Sequence, residues 1–336
     1  MASQVRARLR IRDVAELAGV SPATVSRVLT GSATVAEARR EEVLAVINEL
    51  GYRPNRTARN LRRQQAQMIG VVISDIENPH FTQMVRAVED ATYRRGYRVL
   101  LCNTDEDEAK QRDYLHVLAA ERVAGAIISP TDAAAPEISE LIDYGTSVVA
   151  FDRGVSDRRA DAVLAANAAG ARSGADHLIS GGHTAVGFVS GPPRLETAAE
   201  RLKGYEQAMS AAGLPPLVAN GNFRFAGGVD ATHELLGSGA TALLVANNLM
   251  AVGALHAVKE AGLRVGEDIS LVSIDDPPWA ELTDPPLTTL SQPVRAMADA
   301  AVELLFARME GGRKRRKVRL FDFELHHRGS CCPRGA

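Results

Sequence analysis

The sequence of 336 residues has only three cysteines and no long apolar run, and each shortage excludes a class of protein. Three cysteines cannot form the dense disulfide framework of a small secreted domain. No apolar stretch approaches the roughly 20 residues that cross a membrane. The N-terminus "MASQVRARLRIRDVAEL" lacks the apolar segment of a secretory signal. We therefore expect a cytoplasmic protein without a membrane role, divided into two or three structural units.

Motifs of nucleotide, metal and nucleophile chemistry are also missing. No G-x-G-x-x-G follows a predicted strand, and neither G-x-x-x-x-G-K-[ST] nor H-E-x-x-H occurs. Ser190 in "VSGPP" lacks the G-x-S-x-G turn of a serine nucleophile. We therefore expect no cofactor, no metal and no catalytic residue, and an enzyme on an α/β sheet is a weak alternative.

The first 67 residues contain no lysine, yet they are strongly basic. They hold 12 arginines against 6 acidic residues, whereas the remainder holds 27 basic against 35 acidic residues. A small basic head on a larger acidic body predicts a head that binds a polyanion such as nucleic acid. A solvated basic face is the alternative.

Two short helices joined by a glycine-bearing turn are predicted in "IRDVAELAGVSPATVSRVLTGS", residues 11–32. Gly19 ends the first helix, because glycine accepts the left-handed conformation. Ser21 and Pro22 begin the second, since a serine oxygen caps free N–H groups and proline already has a helical φ. With a third helix in "EARREEVLAVINELGY", the pattern indicates a helix-turn-helix. The apolar side chains expected to face inward are Val14, Leu17, Ala18, Val25, Val28, Leu29, Val43, Val46, Ile47 and Leu50.

The second helix of such a unit enters the DNA major groove with its N-terminal residues at the base edges. We expect Pro22, Ala23 and Arg27 there, because Arg27 can pair with a guanine and Ala23 can touch a thymine methyl group. Thr24 and Ser26 are suited to phosphate oxygens. A plain three-helix bundle is the alternative.

Residues 68–330 alternate between apolar, β-branched runs and helical stretches. "MIGVVI", "RVLLC", "GAIIS" and "SVVAF" are typical of a buried parallel sheet, and the pattern restarts at "AVLAAN". Two runs of βαβ units predict two doubly wound subdomains. Clefts in such sheets open at the C-terminal ends of the strands. The candidate cleft residues are therefore Asn78, Phe81, Asp152, Arg153, Arg201, Asn247, Asp275 and Gln292.

The head motif "DVAELAGVSPATVSRVL" with "LGYRPN" resembles, nearly residue for residue, the lactose/purine repressor (LacI/GalR) family of bacterial transcription regulators. "IGVVISDIENPHF", "RLKGY", "VSIDD", "PPLTTLSQP" and "RGS" match in order, so the resemblance covers residues 9–330. It implies an N-terminal all-α helix-turn-helix head. It also implies an α/β body of two doubly wound parallel-sheet subdomains, as in sugar-binding periplasmic proteins, with an effector cleft between them.

The resemblance also implies where the units begin and end. The segments are a head at 1–53, a hinge helix and linker at 54–67, an effector-binding and dimerisation domain at 68–330, and a tail at 331–336. The first subdomain would comprise 68–162 with 293–317, and the second 163–290 with 318–330. The implied crossings lie near 160–166, 290–293 and 317–319, the last before one final strand, "VRLFDFELH". Apolar helix faces such as that of 82–94, with Met84, Val85, Val88 and Ala91, would contact a partner copy.

The resemblance implies that the cleft residues bind a small carbohydrate-like effector. Paired donors and acceptors at Asp152 and Arg153 suit vicinal hydroxyls, and Phe81 and Phe223 can stack on a ring face. His80 is an additional candidate, because it stands where relatives usually have an aromatic residue. The cleft residues therefore predict a sugar or a sugar derivative as the ligand.

Other positions depart from the family pattern. Ala166 and Asn248 stand where aspartates are usual, and we expect Asn248 to be neutral because asparagine and aspartate cap helices about equally well. With one carboxylate lost at Ala166 and an imidazole gained at His80, we expect an effector with fewer hydroxyls or some negative charge, as in a sugar acid or phosphate. In the head, Ala36 replaces a capping serine, at a cost of about 0.5–2 kcal/mol, and Thr30 replaces an asparagine near a phosphate.

The stretch "GYRPNRTARNLRR", residues 51–63, is predicted to form a hinge helix. Asn55 can cap it, Ala58 and Leu61 share one face, and Arg56 and Arg59 can reach phosphates or the minor groove. So short a helix is unstable alone in water. By resemblance, Leu61 is a wedge that enters a base step and opens the minor groove.

These features together predict a homodimeric, sequence-specific repressor of transcription. It would bind double-stranded operator DNA, at the bacterial nucleoid, under the control of a small-molecule effector. A sugar-binding or transport protein without a DNA role is the alternative from another class.

Overall fold

The structure is a computed structural model that describes residues 11–29, 35–50, 66–311 and 315–333. It separates into two compact units, Met1–Gln65 and Ala66–Ala336. The first unit is called the head below, and the second the body.

The head contains the three predicted helices, α1 (Ile11–Leu17), α2 (Pro22–Leu29) and α3 (Glu37–Leu50). Gly19 has a φ of 59° and ends the first helix. The Ser21 Oγ accepts a hydrogen bond from the Thr24 N–H at 3.2 Å, and proline opens the second helix. The predicted helix-turn-helix is therefore confirmed together with its turn chemistry.

A small apolar core joins the three head helices. Val14, Val25, Val43 and Ile47 are buried together, as their helical spacing predicts. The prediction for Leu17 is wrong, because its side chain is 66% exposed. Helix α1 ends at this residue, and side chains of the following turn pack against the core instead: Ala18 and Val20.

The body alternates strands and helices along the chain. In chain order its elements are β1 (Ala66–Ile73), α4 (Pro79–Tyr93), β2 (Arg98–Asn103), α5 (Glu108–Ala120), β3 (Val123–Ile128), α6 (Pro136–Asp143), β4 (Ser147–Phe151), β5 (Asp161–Ala165), α7 (Asn167–Ser180), β6 (Val186–Ser190), α8 (Glu196–Ala211), β7 (Leu217–Asn220), α9 (Phe225–Gly237), β8 (Ala242–Val245), α10 (Asn248–Glu260), β9 (Ser270–Ile274), a short 3₁₀ helix (Pro278–Glu281), β10 (Thr288–Ser291), α11 (Val294–Met309), β11 (Val318–Phe321) and β12 (Glu324–His326).

The strands form two six-stranded sheets, and each is the centre of one lobe. The first sheet has the order β11-β5-β4-β3-β1-β2 and the second β12-β10-β9-β8-β6-β7. Within the described chain, β12 is the one strand that runs antiparallel to its neighbour, β10. Strands such as β3, "VAGAII", are buried along their whole length, as expected where helices cover both faces. The predicted class, two doubly wound subdomains, is confirmed.

The crossings between the lobes differ from the prediction. Strand β5 stays in the first sheet as far as Ala165, and β11 also belongs to that sheet, beside β5. The predicted placement of residues 163–165 and 318–321 in the second subdomain is therefore wrong. The predicted final strand is two strands in different sheets, joined through Asp322 and Phe323. Phe323 packs against the cores of both lobes, and this position explains the break.

A buried ion pair holds β11 beside β5. The Asp161 carboxylate is fully buried and accepts two hydrogen bonds from the Arg308 guanidinium, both at 2.6 Å. It also accepts one from the Lys317 backbone N–H at 2.6 Å. These contacts connect the start of β5, the end of α11 and the residue before β11, which are distant in sequence.

Two further expectations need correction. Most of the predicted apolar face of α4 is not available to a partner, because Met84, Val88 and Ala91 are buried in the first-lobe core together with α11, and Val85 is partly buried there. The predicted tail, residues 331–336, starts too close to the body. The Cys332 N–H donates to Ser270 Oγ at 2.9 Å, so this residue is still attached to β9. In both cases the partner element is far away along the chain.

Among the residues described, no helix is long and apolar enough to cross a membrane, and no group of three or more potential metal ligands is found.

Candidate functional site

A cleft between the two lobes encloses about 480 Å³ of empty space that is open to solvent. It lies at the C-terminal ends of the strands, where the parallel-sheet rule places ligand sites. All ten predicted residues line it: Asn78, His80, Phe81, Asp152, Arg153, Arg201, Phe223, Asn247, Asp275 and Gln292. Its size and its mixture of aromatic and polar groups suit a small molecule.

Five other residues line the cleft and were not predicted from the sequence. They are Asp75, Glu106, Thr197, Asn222 and Arg224. Asp75 lies two residues after the end of β1, so the strand-end rule also predicts it as a cleft residue. The others lie in loops or on the first turn of a helix, where no periodic signal marks them.

Asp152 and Asp275 occupy matching places in the two lobes. Each directly follows a strand, β4 or β9, and each has a positive φ, 66° and 74° respectively. Their backbone N–H groups donate to Val163 and Leu290 of the neighbouring strand at 3.0 and 2.9 Å. A non-glycine residue in this region persists only where its surroundings hold it. Both carboxylates are therefore fixed at the cleft by the sheets themselves.

Arg153 is already occupied by a carboxylate that was not predicted. Its two terminal nitrogens donate to the two oxygens of Glu106 at 2.7 and 2.6 Å. Burial lowers the pKa of this guanidinium, but the carboxylates of Glu106 and Asp152 raise it by a larger amount. Its pKa therefore lies above the ordinary value. The predicted ligand donor is thus one half of a bidentate ion pair in the cleft wall.

Arg201 is the guanidinium that remains without a carboxylate within salt-bridge distance in the described part of the cleft. Its Nε donates to Asn167 Oδ1 at 2.7 Å, and its Nη1 donates to the Ala246 carbonyl at 2.6 Å. Burial lowers its pKa, and the ring of Phe223 lies 6.0 Å from its central carbon. Two neutral acceptors therefore fix the orientation of a charged donor.

Asn248 has a different role from the one expected. The helix cap is Asn247, whose Oδ1 accepts from the Met250 N–H at 2.9 Å. The Asn248 Nδ2 donates to Asn78 Oδ1 of the first lobe at 2.8 Å and to Asp275 Oδ2 at 2.9 Å. An aspartate there would offer no donor to either oxygen, so the prediction that this position is neutral is wrong.

The Asp275 carboxylate accepts hydrogen bonds from two amide side chains of the inner cleft. Besides Asn248, the Gln292 Nε2 donates to its Oδ1 at 2.9 Å. Burial alone would raise its pKa, but the neighbouring His80 and Arg201 lower it. The two amide hydrogen bonds act in the same direction, and the net pKa lies below the ordinary value.

Other polar contacts join the lobes at the rim of the cleft. Asp75 forms an ion pair with Arg224. The Gly154 N–H donates to Glu196 Oε2 at 2.6 Å, and Arg194 donates to the Glu106 carbonyl at 3.3 Å. The lobes therefore contact each other directly around the empty space.

In the head, the predicted DNA-contacting residues lie on α2. Pro22, Ala23 and Arg27 are exposed, and Thr24 and Ser26 are half-buried. The predicted hinge residues lie outside the described residues: Asn55, Arg56, Ala58, Arg59 and Leu61. Thr30 lies outside them as well.

Comparison with known proteins gives a consistent result over both units. Residues 10–55 match the model of bacterial regulatory proteins, lacI family, and residues 175–331 match the periplasmic binding protein-like domain. The HTH-type transcriptional repressor PurR of Photobacterium profundum is 34% identical over 322 residues, 94% of this chain and 96% of the relative.

Two solved structures extend the comparison to the fold. A lac repressor dimer bound to operator and the anti-inducer ONPF has a TM-score of 0.85 at 31% identity, covering 97% of this chain and all of the other. A complex of the transcriptional regulator CelR with cellobiose has a TM-score of 0.72 at 30% identity, covering 96% and 100%.

Proposed function

The chain belongs to the LacI family of bacterial regulatory proteins and is a DNA-binding transcriptional regulator, and from that premise we propose that a small hydroxylated effector controls it through the cleft. The supporting observation is that all ten predicted side chains line one cavity between the lobes. The protein acts as a repressor. On α2 of the head, the side chains that read base edges are Pro22, Ala23 and Arg27, and those that contact phosphates are Thr24 and Ser26.

The effector we propose is a neutral carbohydrate or a close derivative. Two ion pairs, Asp75–Arg224 and Glu106–Arg153, cancel within the cleft wall. Two carboxylates, Asp152 and Asp275, then face one guanidinium, Arg201, so the cleft has no surplus positive charge to attract an anion. The sugar acid or phosphate suggested by the lost carboxylate at Ala166 is thus the weaker candidate. Cellobiose is bound by the relative CelR, and ribose by a relative from Enterococcus faecium.

The regulator works as a homodimer, by analogy with the lac repressor dimer on its operator. Dimerisation would place two heads on a near-palindromic site, one in each half. Side chains available for a partner include these exposed apolar residues of the body: Tyr93, Leu101, Val218, Phe225 and Val252. Its place of action is the cytoplasm, on nucleoid DNA.

Selection of bound duplexes from a random DNA pool tests the DNA role. One enriched near-palindromic site is expected, and the absence of any enriched sequence would reject it. Isothermal titration of the protein with neutral sugars and with their acids then tests the ligand. Tighter binding of an acid than of its parent sugar would contradict the neutral effector.

A further inference from the structure

His80 lies buried between the two lobes with an unusual set of neighbours. It is 6% exposed, and neither ring nitrogen has a hydrogen-bond partner among the described residues. Its Nε2 lies 3.9 Å from Asp152 Oδ1, and its Nδ1 lies 4.0 Å from Asp275 Oδ1. Buried polar atoms without partners are rare, because each one loses its hydration without compensation.

The two carboxylates belong to different lobes. Asp152 follows β4 of the first lobe, and Asp275 follows β9 of the second. A neutral imidazole has one N–H and can donate to only one of them, whereas an imidazolium donates from both nitrogens. Each gap exceeds a normal hydrogen bond by about 1 Å. A small further closure would therefore complete both bonds, provided that the ring carries two protons.

The charged groups around the ring do not balance one another. The groups of the inner cleft are three carboxylates and two guanidiniums: Asp152, Asp275, Glu106, Arg153 and Arg201. Arg153 approaches Asp152 with its Nε at 3.6 Å but is bound to Glu106. On the far side of the ring, Asp276 is paired with Arg328. One negative charge remains uncompensated, and a proton on His80 balances it.

We propose that His80 is a proton-operated clasp, which in its doubly protonated form joins Asp152 of one lobe to Asp275 of the other. Closure of the cleft is then linked to the uptake of one proton. The ring lines the inner cleft and also a second, smaller cavity behind it, formed with Asn248, Asp276 and Ser291. His80 is thus a positioning residue that sets how readily the lobes close.

This inference rests on the proposed function only for its biological meaning, because closure around an effector would be the regulated event. The clasp itself is tested without any effector. Failure of the clasp would leave the effector cleft intact, and failure of the effector assignment would not alter the protonation of His80.

The direct experiment is ¹⁵N NMR of the full chain labelled at histidine, at pH 7, with the proton as the probe. The signal of His80 is assigned by its loss in His80→Gln, or in His80→Phe if the glutamine variant fails to fold. We expect both ring nitrogens to carry protons. A single N–H, as in a neutral tautomer, would overturn the proposal.

Thermal unfolding between pH 5.5 and 8 provides a second readout. The clasp stabilises the folded protein while the His80 ring is doubly protonated. This contribution to stability is lost as the pH rises and the ring gives up its second proton. The Tm of the wild type should therefore exceed that of His80→Gln most at pH 5.5, by about 2 °C or more, and this gap should shrink towards pH 8. His116→Gln, at an exposed site, is the control and should show no such gap. A gap that does not vary with pH would also overturn the clasp.

Discussion

Asn248 of the second lobe donates one amide hydrogen to Asn78 of the first lobe at 2.8 Å and the other to Asp275 at 2.9 Å. Both acceptors are oxygens, and both are buried. This contact therefore requires a donor towards each oxygen, and it crosses the cleft at its inner side. A residue that sequence comparison treats as a helix cap is in fact a contact between the lobes.

Asn248→Asp should destabilise the body by about 1–3 kcal/mol at neutral pH, because a carboxylate donates to neither oxygen, leaves Asp275 Oδ2 without its donor and repels the Asp275 carboxylate. Urea unfolding at pH 7 measures this loss. Relative to wild type the loss should shrink on acidification, since a protonated carboxyl recovers one donor. Asn220→Asp is the control, because Asn220 accepts from the Asn222 N–H and an aspartate can do the same. Equal stabilities of both variants would contradict this role.

Breaking the Asp161–Arg308 pair should be costly. Asp161 is fully buried, and Arg308→Ala would leave its carboxylate with only the Lys317 N–H. Removal of one partner of a buried pair costs about 3–5 kcal/mol, which urea unfolding would detect. Arg319→Ala, which breaks the exposed pair with Glu303 in the same lobe, should cost about 0–1 kcal/mol. Similar costs for the two variants would show that the buried pair does not hold β11.

The head should gain stability from a restored cap. Ala36 directly precedes α3, and its carbonyl accepts from the Arg39 and Arg40 N–H groups, but its side chain offers no acceptor. Ala36→Ser should stabilise the head by about 0.5–2 kcal/mol, measured by thermal unfolding of the head transition. Ala36→Gly is the matched comparison and should gain less than the serine. A serine variant no more stable than wild type would mean that the cap does not form.

The hinge prediction concerns residues outside the described part of the chain. Leu61→Ala should leave folding and effector binding unchanged but reduce affinity for the selected DNA site by at least about tenfold, because unstacking of a base step needs an apolar wedge. Gel retardation of that site measures the effect. Leu61→Met, which keeps the apolar volume, should retain most of the affinity. Unchanged binding by Leu61→Ala would reject the wedge.

The strand ends could be predicted from the sequence, and with them most of the cleft. Asp152 and Asp275 follow short, mostly apolar runs, and parallel strands bring their C-terminal ends to one edge. The same rule gave eight of the ten predicted residues, the family resemblance added His80 and Phe223, and all ten line one cleft. Local patterns were sufficient here because each residue is placed by its own strand or helix.

The pairings between distant segments could not be predicted in this way. Glu106 meets Arg153 from a different loop, and Asn248 reaches Asn78 across 170 positions of sequence. The division of the last predicted strand depends on Phe323, which packs against both lobes. No periodic signal marks such contacts, because tertiary packing alone decides them.

The central claim, that a ligand in the cleft controls DNA binding, is tested most directly with Arg201→Lys. Lysine cannot reproduce the directed donors to Asn167 and Ala246, while the head is untouched. The measurement is the affinity for the selected DNA site with and without the small molecule that titration identifies. The account predicts that the small molecule changes the DNA affinity of wild type by at least about tenfold, equivalent to about 1.4 kcal/mol. The exposed control Arg172→Lys should respond to the small molecule in the same way. Arg201→Lys should bind the same DNA without responding. A variant that responds as strongly as wild type would contradict the account.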